Sequence, residues 1–189
     1  MEMTLRAFIT AIHGMLFGIF FLLAIYGVVV ELCRSVYAKQ PSDLTVRGYS
    51  LERLYLICMV ALGWAAVLSG AYIVYPWYRA VPPARIASLI QYPQALLKSS
   101  PTTAGWHNLG MEWKEHIAWF APIAMTMVAS VLIKYRRSMK QHPQLRTAVL
   151  VFALVAFVSA GVAGFFGAML NKHAPVKGGP TIHLTGESR

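Results

Sequence analysis

Four stretches of the chain hold no Asp, Glu, Lys or Arg: residues 7–30, 54–78, 117–133 and 147–171. A helix needs about 20 apolar residues, at roughly 1.5 Å of rise each, to cross the hydrocarbon of a bilayer. The third run is the shortest, and it reaches that length when extended back through "MEWKEH". The pattern predicts an all-α integral membrane bundle of four transmembrane helices, at about 6–33, 52–78, 110–135 and 146–171. These fill a single domain over 1–175, followed by an extended tail over 176–189. The first run is longer than the apolar core of a signal peptide and only Arg6 precedes it in the basic role. It therefore reads as a helix of the bundle, although "VYA" at 36–38 imitates a cleavage site.

Small and aromatic residues refine the pattern. Gly14 and Gly18 form a GxxxG step that lets another helix, or a flat ligand, approach the first helix closely. Tyr72, Tyr75, Trp77 and Tyr78 place the end of the second helix at headgroup level, and Pro76, Pro82 and Pro83 stop it. The long connection 77–114 contains "PARIASLIQYPQALLK", which reads as a short surface helix broken near Pro93. Pro122 predicts a kink in the third helix. Gly161, Gly164 and Gly167 give the fourth a smooth packing strip. The tail, rich in Gly and Pro, reads as extended or held by another subunit.

Composition agrees: 57% of residues are hydrophobic and 13% charged, far below the charge of a soluble domain. The net charge of +10 does not point to nucleic acid, because the basic residues follow the loops. Segments 34–53 and 134–146 hold 9 Lys and Arg in 33 positions, against 8 in the 63 positions of 1–6, 77–114 and 171–189. The positive-inside rule then predicts a multi-pass protein of the inner (cytoplasmic) membrane with both termini periplasmic. Cys33 and Cys58 fall at the cytoplasmic ends of their helices and read as reduced, packed thiols. There is no CxxCH, P-loop, Rossmann fingerprint, HExxH or GxSxG.

The candidate chemistry lies in histidines. Alternating helix directions bring His13, His107, His116 and His173 to one membrane face, while His142 stands alone on the other and His183 lies in the tail. An ionisable group such as His13 within an apolar helix faces the bundle interior, a partner or a cofactor. His13 from the first helix and His116 from the third are the expected axial ligands of a b-type haem, with Gly14 and Gly18 making room for the ring. Lys114, Arg79 or Arg85 would meet its propionates, and His107 with His173 would hold any second haem. Acids at a helix N-terminus suit the dipole, which is the plain account of Glu112 and Glu115.

This layout, with His13 and His116 so placed, resembles the small four-helix membrane cytochromes b that anchor respiratory oxidoreductases. The resemblance implies a non-catalytic electron-transfer or accessory subunit passing electrons between membrane quinol and a periplasmic redox partner. Glu112 or His107 would accept quinol protons at a quinone site. Two other readings stand beside it. One is a cofactor-free structural subunit of a larger membrane complex, in which His13 is a packing hydrogen bond. The other is a non-haem metal site of His13, Glu112 and His116, extended by His107 or His173.

Overall fold

A computed structural model describes residues 2–37, 46–135, 139 and 141–183. The end of the expected tail, 184–189, and parts of the two basic loops lie outside the described residues. Four helices of membrane-spanning length and composition are present among those described: Leu5–Arg34, Gly48–Tyr78, Pro101–Tyr135 and Pro143–His173. At 30 to 35 residues each, they are longer than the hydrocarbon requires, so their ends stand in the headgroup region. The chain is therefore a multi-pass membrane protein of the expected all-α class.

The third helix begins nine residues before its expected start, for a local reason. Ser100 caps it, its hydroxyl accepting from Thr102 N at 3.4 Å, with Pro101 in the first turn. Glu112 and Glu115 consequently lie in the body of the helix, away from its positive end. The connection from the second helix shrinks to match. Of the "PARIASLIQYPQALLK" segment only Pro93–Lys98 is helical. Pro122 lacks the N–H that would close on the Ala118 carbonyl, and Ala121 N takes that carbonyl instead at 3.3 Å. The helix is correspondingly irregular just before it, π-helical over Trp113–Ile117 and regular again from Phe120.

The helices pack in a ring. The first contacts the second and fourth, and the third contacts the same two, so the first and third occupy opposite corners. Cross-helix hydrogen bonds fasten three sides: Tyr55 Oη to Ala24 O at 2.6 Å, Trp64 Nε1 to Thr126 Oγ1 at 3.1 Å, and Trp113 Nε1 to Ser159 O at 3.3 Å. The main core runs from Phe21 to Leu32 and is closed by Leu56, Met59, Met125, Val128, Ala153 and Ala156. A second, smaller core sits at the end bearing the chain termini. It joins Tyr78, Leu97, Met111, Leu170, Ala174 and Val176. There the tail returns to the chain's own N-terminus: strand Thr181–His183 pairs antiparallel with strand Glu2–Thr4, and His183 Nδ1 lies 3.2 Å from Glu2 Oε1. Both termini thus share one end of the bundle.

Close packing sets one expected outcome. A Cβ on buried Gly63 would fall 2.7 Å from the Phe21 ring, itself locked in the main core. Gly63→Ala should cost about 1–3 kcal/mol, as overpacking does. Gly14→Ala meets nothing within 4 Å and should leave stability unchanged or raised. Thermal unfolding of the two variants in detergent checks the contrast.

Candidate functional site

Between the two cores lies a layer that packing has not closed. From Leu5 to Phe20, from Trp64 to Trp77 and from Glu112 to Phe120 no residue is buried, and from Ala160 to Met169 only Phe166 is. Three helices are π-helical within or at the edge of this layer, at Ile12–Ile19, Gly70–Val74 and Trp113–Ile117. A π-helical turn widens a helix by one residue and recurs at functional sites.

His13 is the centre of the layer. Its Nδ1 lies 3.0 Å from Ser69 Oγ on the second helix. The Ser69 hydroxyl also lies 3.2 Å from Ala66 O, so one small residue bridges the imidazole to the backbone of the second helix. Gly70 gives the ring its seat, since a Cβ there would lie 2.7 Å from Cε1 and 3.3 Å from Nε2.

The third helix sorts four consecutive residues in four directions. Trp113 reaches the fourth helix at Ser159 O. Glu115 faces the second, acting on Tyr75, Tyr78 and Arg79. Lys114 lies between these two directions and points inward. Its Nζ is 2.9 Å from where a Cβ of Gly167 would stand, and its charge acts on His13. His116 is left facing out, 69% exposed, with Nδ1 3.0 Å from Glu112 O and 3.5 Å from Glu112 Oε2. The layer therefore places His13 and Lys114 on one diagonal and Gly70 and Gly167 on the other.

The expected site residues separate accordingly. His13 and His116 are not brought together: one is inside, the other on the outer surface beside Glu112. A ring gripped by those two side chains does not fit this arrangement. Gly14 is exposed, and a Cβ on Gly18 would meet only the His13 carbonyl at 3.6 Å, so this glycine face is open. His107 accepts or donates at both nitrogens, Nδ1 to Tyr78 Oη at 2.7 Å and Nε2 to Gln94 Nε2 at 3.4 Å. His173 stacks on Trp106, at 5.8 Å between ring centroids, so Trp106 rather than His107 is its neighbour. His142 caps the start of the fourth helix, at the far end from the layer. Among the described residues no three of His, Cys, Asp and Glu converge on a metal-sized space. Ser69 and Gly70 carry roles that the sequence did not single out, and Gly167, expected only to smooth helix packing, borders the Lys114 ammonium. Their only signal was a small residue at the depth of a polar one.

The His107 network makes a prediction at the termini end. His107→Ala leaves the buried Tyr78 hydroxyl without its partner and should cost about 1–3 kcal/mol, whereas Tyr78→Phe should cost about 0.5–1.5 kcal/mol. Unfolding midpoints in detergent check the order. Comparison with family models, with curated proteins and with solved structures found no match for this chain.

Proposed function

We propose that the chain is a non-catalytic membrane subunit whose working part is the layer around His13, and that this layer holds a b-type haem on His13 Nε2. In this reading it passes electrons between membrane quinol and a redox partner at the termini end, taken as the periplasmic side from the density of basic residues in the loops. The observation that carries the reading is the state of the imidazole. Nδ1 is held by Ser69 on another helix, and Nε2 makes no hydrogen bond among the described residues. Metal-bound histidines have this arrangement, the far N–H fixed by a neighbouring acceptor. A haem so placed supplies one-electron chemistry. The protein residues orient the imidazole through Ser69 and clear its edge at Gly70. His116 has no part in it.

A second reading rests on the same hydrogen bond. A His13–Ser69 pair by itself ties the first helix to the second, and the open Gly14 face suits another helix, as in a cofactor-free subunit of a larger membrane complex.

A visible spectrum before and after dithionite, with a pyridine haemochrome assay, separates the two. The haem reading expects a b-type α-band in the wild type that is lost in His13→Ala and kept in His116→Ala. A colourless, folded wild type would leave the structural reading standing. Loss of the band in both variants would restore His116 as a ligand.

A further inference from the structure

We infer that the non-helical connection after the second helix, residues 79–92, is a foot that rests on the bilayer surface and recognises acidic phospholipid headgroups through Arg85. The inference does not rest on haem. Both roots of the connection are fixed at one level of the bundle. Tyr78 lies in the second core and Trp77 packs against it, while beyond the far end Pro93 and Leu97 are buried, Leu97 in that same core. The segment between them therefore leaves the bundle and returns to it at the depth where the aromatic end of the second helix meets the headgroups. Its apolar side chains are not folded into either core. Val81 is 84% exposed, Ile90 52% and Ile86 39%.

Charge identifies what these residues face. From Arg79 to Met111 the chain holds no Asp or Glu, whereas Arg79, Arg85 and Lys98 are basic. Arg79 is engaged at the bundle, donating to Tyr75 Oη at 2.8 Å. Arg85 is exposed and makes no hydrogen bond or ion pair among the described residues. Its backbone is left-handed, with φ 68°, in the turn that separates Val81 from Ile86. Glycine would make that turn without strain, so what arginine adds there is its side chain. A guanidinium flanked by apolar side chains suits the boundary of a bilayer. The apolar groups enter among the acyl chains, and the cation stays level with the phosphates. The guanidinium fork matches phosphate oxygens, and a surface bearing acidic lipid attracts the net positive segment. An acidic protein would satisfy the charge as well, but the lipid surface already lies at the level of both roots.

The test uses the full chain carrying Cys33→Ser and Cys58→Ser, spin-labelled through Val81→Cys or Ile90→Cys. The protein is placed in vesicles of phosphatidylcholine alone or mixed with phosphatidylglycerol. Electron paramagnetic resonance then compares collisions with oxygen, which concentrates in lipid, and with a water-soluble nickel chelate. In mixed vesicles both labels should favour oxygen, and the oxygen-to-nickel ratio should at least halve when the acidic lipid is left out. Arg85→Gly, which keeps the turn, should lose this dependence on acidic lipid, and Arg85→Lys should retain it. The inference is overturned if both labels favour the nickel chelate in both kinds of vesicle, the result expected of a segment held ready for a protein partner. It is equally overturned if the lipid dependence survives in Arg85→Gly. Should the cysteine-free chain not fold, the lipid carried through purification by the wild type and by Arg85→Gly decides instead. Mass spectrometry should find less phosphatidylglycerol on the variant, and an equal amount on both overturns the inference.

Discussion

Hydrocarbon offers no water to a polar group, so an imidazole set into an apolar helix must find its partner within the protein. The His13–Ser69 bond is the constraint from which the termini end of the bundle follows. It fixes the first helix against the second at the depth of Gly70, because only a residue without a side chain lets the ring lie there. The first helix is π-helical from Ile12 and the second from Gly70, on the two sides of this contact. A polar contact and a glycine have replaced apolar interdigitation there, and the packing opens accordingly.

The opening is bounded on both sides. Below it, Phe21, Ile25, Met59 and Met125 interdigitate as a dry core. Above it, Tyr78, Met111 and Leu170 close a second one, held by the His107 bond and by the paired terminal strands. A layer enclosed in this way differs from a frayed helix end. Water reaches a frayed end freely and satisfies what it meets. Here the polar groups stand between two cores, and His13 finds its partner in Ser69.

The membrane helices were legible because a charge-free run of this length has few other meanings, and their order put His13, Lys114 and the termini at one end. What was not legible was direction around the helix axis. His116 and Lys114 are two residues apart, on nearly opposite sides of the helix, so only one of them faces the interior. Histidine chemistry pointed to His116; packing chose Lys114, since Trp113 and Glu115 engage the fourth and second helices on either side of it. Ring order was hidden too. Parallel direction makes the first and third helices look like partners, yet the contacts put them at opposite corners. The start of the third helix, by contrast, was written in "SSP", a serine cap before proline, and was masked by the polar residues that follow.

The same stretch shows how charge is divided across the headgroup boundary. Glu115 adjoins Lys114 in sequence and would be its simplest counter-ion. Helix geometry turns the carboxylate toward the second helix instead, where its charge acts on Tyr75, Tyr78 and Arg79, and Tyr78 leads on to His107. Glu112 is likewise matched by His116 on the outer surface. Each acid near the boundary is therefore drawn to groups on its own side of the helix. Surface pairs of this kind contribute little stability in themselves. Inside the bundle, His13 and Lys114 fit against Gly70 and Gly167, whose missing side chains make room for them.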